Sequence, residues 1–478
     1  MCSSLGIRLR PRAFRRACIA ALGAFVSAGA IANIAQAQSS LPVQVDAGPM
    51  PDATLDSLVA RALVASPALI AARHRADAAR ARIAPAGARP DPTLMAGIQN
   101  QPLGREAPTT TAHGIVSSGP DPMTMHMIGL SQTIPFPGRL ALRTSAAQSD
   151  ADAALAAIDD ARLGLIRDVR TAYYELAYVD ESIRIADRNR AVLTDVIRVT
   201  EAHYATGSGM QQDVLKARLV ITQLAQQVNE LQEERRAQRA ALNALLDRPS
   251  DTPVDRAAIP QDIAQAAVTD SSNRIQFVSS SFGASAAGSP LPPLPTLQAM
   301  AVANSPMLRE HESRIAAQTT RVAFAEKATK PDIDVSLQYG QRNGLTDMVS
   351  ATVSVPLPIQ HRRKQDEDVA AARDELAALE AEHRSSVNDL RARIAKSYAD
   401  VERARTQLAL DVKAILPQGR ASLAAATAGY QAGKTDLLTL LDSQSTLFAY
   451  ETSYYRSLAD FAGAIAQLEA VVGKAVLR

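Results

Sequence analysis

The sequence predicts a mainly α-helical chain with a small β part, built twice over and completed only by oligomerisation. Three observations predict this. One order of motifs recurs in two halves, two pairs of short segments alternate apolar and polar residues, and proline-free stretches run far beyond the length of an ordinary globular helix.

The first 37 residues stand apart. Arg8, Arg10, Arg12, Arg15 and Arg16 precede an apolar run from Ala17 to Ile34, which ends at Ala35-Gln36-Ala37. A basic start, a short apolar middle and small residues before the cut describe a secretory signal peptide, with cleavage expected after Ala37. The run is interrupted by Gly23, Ser27, Gly29 and Asn33, which disfavours a membrane anchor. Cys2 and Cys18 are the only cysteines, so the mature chain is expected to have no disulfide, no thiolate zinc site and no thiol nucleophile. Taking the five leader arginines from a formal charge of +2 leaves about −3. That balance disfavours a nucleic-acid partner, which needs a concentrated basic surface. No later segment has the ~18 consecutive apolar residues of a spanning helix, so a membrane-bound mature chain would have to cross through strands.

Two repeats are expected, at 38–247 and 296–478. Ala65-Ser66-Pro67-Ala68-Leu69 in the first answers Asn304-Ser305-Pro306-Met307-Leu308 in the second. An Ala-rich helical stretch then ends at Pro90-Asp91 or Pro331-Asp332. A strand pair closes on Ile134-Pro135-Phe136-Pro137 or Val355-Pro356-Leu357-Pro358. Long helical segments follow, broken once in each half by a Tyr-x-x-Gly turn, Tyr204–Gly207 and Tyr430–Gly433. Residues 248–295, rich in Pro, Ser and Ala, read as a linker.

Strands are expected at about 93–100, 124–134, 333–340 and 348–355. Ile333, Val335, Leu337 and Tyr339 alternate with Asp334, Ser336 and Gln338; Val349, Ala351, Val353 and Val355 alternate with Ser350, Thr352 and Ser354. Such period-two patterns mark half-buried strands. Four strands cannot close a barrel whose smallest bacterial form has ~8, and open edges cannot face lipid. Several copies must therefore pool their strands if they span a membrane. Phe136 and Tyr339 are the main candidates for an interfacial aromatic belt, since the chain has no Trp.

Helices are expected at about 140–203, 211–246, 362–429 and 436–473. The first alone would extend roughly 95 Å at 1.5 Å per residue, which no compact core can cover. Val214, Ala217, Ile221, Leu224, Val228 and Leu231 recur at steps of three and four. That stripe calls for helical partners along its whole length.

Taken together, the doubled Pro-Asp pairs, the segment Ser131-Gln132-Thr133-Ile134-Pro135-Phe136-Pro137-Gly138-Arg139, the Tyr-x-x-Gly tips and the stretches Asp213–Arg218 and Leu440–Gln444 resemble the TolC outer-membrane efflux family. The resemblance spans nearly the whole mature chain apart from the linker. It implies a homotrimer in the outer membrane, in contact with its lipid. Twelve strands would be shared in one β-barrel, and the long helices would form a hollow periplasmic α-barrel. The partners implied are a periplasmic adaptor and an inner-membrane RND-type pump, with the tips Tyr204, Gly207, Tyr430 and Gly433 as the docking end. Family gates use a Tyr–Asp hydrogen bond, which maps to Tyr430 and Asp213. The basic gate position maps to Thr435, beside Lys434, and the two acidic constriction positions map to Thr439 and Asp442.

The Ser-Gln-x-x-Pro-Phe-Pro-Gly-Arg form looks closest to the heavy-metal (CzcC-like) branch, so exported metal cations are expected, with drug efflux or type I secretion as alternatives on the same fold. Met123, Met125, His126 and Met127 are weak metal candidates, because thioether and imidazole suit soft ions. In a strand, however, His126 points away from the three methionines. No cofactor and no catalysis are expected. His311-Glu312 lacks a second histidine at 315, and Gly207-Ser208-Gly209 follows no strand and lacks a third glycine. A soluble periplasmic coiled-coil scaffold is the competing reading from another class.

Overall fold

The computed structural model describes residues 54–100, 124–260, 263, 291–342 and 345–476. The expected signal peptide and residues 101–123, Met123 among them, lie outside the described residues.

Each half begins with a broken helix. In the first, α1 (Leu55–Ala65) gives way at Ser66-Pro67 to α2 (Pro67–Ala81) and the short α3 (Ile83–Gly87), and the span Pro67–Gly87 is bent by 43° from α1. In the second, α6 (Leu294–Asn304) gives way to α7 (Pro306–Glu326) at Ser305-Pro306. Proline at the first helical position has no N–H to lose and its φ is already helical. The Ser305 hydroxyl caps α7 by accepting from the Leu308 N–H at 3.3 Å. Leu58, Ala62 and Leu69 are buried in one half, and Leu297, Ala301 and Leu308 at the matching places in the other. The pair α1–α2 has the length and composition of a bent membrane span, but these buried residues seat it in the helical core.

The strands β1 (Thr93–Gln99), β2 (Met125–Ile134), β3 (Ile333–Arg342) and β4 (Met348–Ser354) form one antiparallel sheet in the order β1-β2-β3-β4. The two halves are thus joined edge to edge, with β2 paired to β3 from Met125–Arg342 to Ile134–Ile333. Below the sheet, Arg139 forks onto both oxygens of Asp332 at 2.8 and 2.9 Å and stacks on Phe324. Asp332 also accepts from the Phe136 N–H at 2.8 Å. The Pro-Asp motif therefore fastens the end of one strand pair to the start of the other.

The helical part consists of α4 (Arg139–Ala205), α5 (Gln211–Leu245), α8 (Gln365–Leu410), α9 (Leu416–Gln431) and α10 (Leu437–Val472). The 67 residues of α4 correspond to about 100 Å of helix. Ion pairs fix its register against α10: Arg170–Glu469 at 2.6 Å, Arg456–Glu175 at 2.7 Å and Arg188–Glu451 at 2.8 Å. Burial works against the charge on Arg456, but its bonds to Glu175 and Asp460 outweigh burial and raise the guanidinium pKa further. Among these pairs lies the buried Gln444–Asn189 hydrogen bond.

The helix anticipated over 362–429 starts at Gln365, behind a 3-10 turn, His361–Arg363, and runs to Gln431 with a π-helical turn, Asp411–Ile415, between α8 and α9. Pro417 has no N–H for the carbonyl four residues back, and a wider turn is a local way to absorb that mismatch. The start of the 248–295 stretch, read as a linker, packs onto the first repeat. Val254 and Ala257 are buried against α1, α4 and α5, with Asp180 accepting from the Ala257 N–H at 3.0 Å.

Candidate functional site

The two Tyr-x-x-Gly turns fold almost identically. Gly207 and Gly433 have φ of +73° and +67°, the left-handed region that only glycine enters without strain. The Gly207 N–H donates to the Tyr204 carbonyl and the Ser208 N–H to the His203 carbonyl; Gly433 to Tyr430 and Lys434 to Gly429 repeat the pattern. The tips lie side by side, with the His203 and Tyr430 ring centroids 5.7 Å apart. Leu437, Leu440 and Leu441 pack with Ala217, Leu224 and Val228 just behind them.

The Tyr430–Asp213 hydrogen bond expected at the gate is not made within the chain. Tyr430 Oη lies 3.3 Å from Thr200 Oγ1 instead. Since the Thr200 hydroxyl spends its only proton on the Val196 carbonyl at 2.8 Å, Tyr430 must be the donor. The half-buried Asp213 sits in the first turn of α5. Its carboxylate has no hydrogen bond or ion pair among the described residues.

Thr435, at the expected basic position, donates its hydroxyl to the Ala426 carbonyl at 3.3 Å and so closes the α9 end. Thr439 donates both its N–H and its hydroxyl to Asp436, the N-cap of α10. Those two bonds, the hydroxyl's first, hold the Asp436 carboxyl below the usual range, with Lys216 adding attraction. A depressed carboxylate stabilises the folded state above its unfolded value of ~3.9. That contribution is lost as pH falls through the lower folded value. Asp442 is exposed one helical turn further along, without a side-chain partner among the described residues.

Thr200 and Asp436 were not foreseen as site residues. The Asp-x-x-Thr spacing is a capping pattern visible in sequence, whereas Thr200 carries no local signal.

In the sheet the register sorts side chains onto two faces. Leu94, Ile98, Ile128, Leu130, Ile134, Ile333, Val335, Leu337, Tyr339, Val349 and Val353 share one face, all of them exposed. The other face carries Thr93, Ser131, Thr133, Asp334, Ser336, Gln338, Ser350, Thr352 and Ser354. Met125 and Met127 lie on this polar face and His126 on the apolar one, so the three do not converge. Of the belt candidates, Tyr339 is 43% exposed and Phe136 is half-buried under Lys330 Nζ, 5.0 Å from its ring centroid. No group of three His, Cys, Asp or Glu able to hold a metal occurs among the described residues.

The family profile described as outer membrane efflux protein matches residues 58–248 and 297–474. The chain is 24% identical over 437 residues to the pyoverdine export outer membrane protein OpmQ of Pseudomonas putida, covering 88% of this chain and 86% of OpmQ. It is 23% identical over 340 residues to the cobalt-zinc-cadmium resistance protein CzcC of Cupriavidus metallidurans, covering 70% and 74%. Among solved structures CusC superposes with a TM-score of 0.70 at 19% identity, covering 88% of this chain and 92% of CusC. At that identity the likeness shows the fold.

Proposed function

The chain belongs to the outer membrane efflux protein family, the TolC family, and from that premise we propose that three copies of it form a passive exit duct for heavy-metal cations. The duct is joined through a periplasmic adaptor to an inner-membrane RND-type pump that supplies the energy. The observation that carries this reading is the sheet. It has an exposed apolar face, and its edges β1 and β4 have no strand partner among the described residues. Backbone groups on an open edge cannot be left in lipid. Each β1 therefore pairs with a neighbour's β4, and twelve strands close the barrel.

The tips Tyr204–Gly207 and Tyr430–Gly433 form the adaptor-docking end, with Tyr430, Asp213, Thr435 and Thr439 around the gate. Three copies of Asp442 make one acidic ring at the neck, which favours cations. Asp213, without a side-chain partner among the described residues, is open to a donor from the neighbouring protomer. The metal cargo draws on this single acidic ring and on the likeness to CzcC. Siderophore export is the second reading, favoured by the likeness to OpmQ over more of the chain.

Washing membranes with carbonate and deleting the gene tests both levels. The protein should stay in the pellet, and the deletion strain should become sensitive to zinc, cobalt, cadmium, copper or silver. A protein that washes off would be a soluble scaffold. Sensitivity to drugs alone, or lost siderophore secretion with metal tolerance intact, would remove the metal cargo.

A further inference from the structure

The polar face of the sheet has an unusual composition. Besides the polar residues and the glycines Gly97, Gly129 and Gly340, its only other non-polar side chains among the described residues are Met95, Met125, Met127 and Met348. No Leu, Ile, Val or Phe stands on this face, and no methionine stands on the apolar one. If the face needed only apolar lining, the aliphatic residues used throughout the opposite face would serve. What methionine alone adds is a polarisable thioether sulfur.

Three of these methionines stand around one glycine in the strand register. Gly340 pairs with Met127 on one side and Met348 on the other. A Cβ placed on Gly340 would lie 3.4 Å from Met125 Sδ and 3.9 Å from Met127 Cγ. Directly opposed residues have Cβ positions ~5 Å apart, so Met348 borders the same hollow from β4. With no side chain at Gly340, Met125 Sδ leans over the gap in the row that Met127 and Met348 flank. Arg342, opposite Met125, is turned away, its Nε donating to the Thr346 carbonyl at 3.0 Å.

We propose that Met125, Met127 and Met348 form a binding site for soft monovalent cations, of the Cu(I) and Ag(I) class, near the outer mouth of the duct. The inference rests on the reading of this face as the lumen. Neutral thioether ligands select soft ions and hold them without charge. A conducting pathway needs sites weak enough to release what they bind.

Silver is the probe, since it needs no reductant. Equilibrium dialysis of Ag(I) against the purified trimer, with X-ray absorption at the silver edge, should show about one sulfur-ligated ion per protomer. M125L/M127L/M348L, which conserves volume, should weaken that binding by about tenfold or more. M300L/M307L, in the helical part, should retain native affinity, and native mass spectrometry of each variant checks assembly. Equal affinity in the triple variant, or silver held by nitrogen and oxygen alone, would overturn the site. A native trimer that conducts ions but binds no silver sinks this inference and leaves the duct standing. A protein that neither assembles nor conducts removes the duct itself.

Discussion

Replacing Asp180 by alanine should make the Ala257 amide exchange its hydrogen about a hundredfold faster, equivalent to about 3 kcal/mol of local stability. The Asp180 side chain is 5% exposed and ion-paired to Arg235, while its second oxygen accepts from the Ala257 N–H. One carboxylate thus ties α4 to α5 and to the irregular stretch that leaves the first repeat. Its removal strips a half-buried guanidinium and a buried backbone N–H of their acceptor together, and stranded donors cost more than the bond itself contributes. Arg235 is 30% exposed, so water relieves part of the loss, and the expectation sits at the lower end for broken buried pairs. Asp180→Asn keeps an oxygen for Ala257 and should show a much smaller change. Native exchange rates in Asp180→Ala would mean that the stretch is held by Val254 and Ala257 packing alone.

Tyr430→Phe should shift the assembled channel toward its open state by about a hundredfold in the open-to-closed ratio. The substitution keeps the ring against His203 and deletes only the hydroxyl that donates to Thr200. One such bond is worth about 1 kcal/mol net. Three symmetric copies broken together would then shift the equilibrium by about 3 kcal/mol. Thr200→Val removes the acceptor from the other side and should act in the same direction. Single-channel recording in planar bilayers reads both as a higher open fraction. If neither differs from the native channel, the tether plays no part in keeping the tips shut.

The fold was legible where one physical rule dominates a segment. Ile333–Tyr339 alternates cleanly because nothing but the face decides each residue. β1 and β2 read less clearly, since Gly97 and Gly129 interrupt the polar face, and at Gly129 it is the neighbouring Gln338 that fills the space. The 3-4 stripe made α5 legible as a helix that needs partners, but the register of α4 against α10 was not, because Arg170–Glu469 and Asn189–Gln444 join residues more than 250 positions apart. Pro417 was visible in the sequence, whereas the π turn it accompanies depends on how the following helix must run. At the tips the glycines announced the turns. Thr200 was hidden because a threonine within a helix looks the same whether or not a tyrosine reaches it. The methionine cluster required the strand register, since Met348 lies more than 200 residues from Met125 and Met127.

Everything functional depends on whether one chain is an incomplete piece of a closed cylinder. The most direct measurement is the mass of the mature protein, purified in mild detergent, by light scattering coupled to size exclusion. Three chains per particle, falling out of solution when detergent is withdrawn, is the result expected from four strands with two open edges and an apolar outer face. A monodisperse single chain that stays soluble without detergent would contradict it.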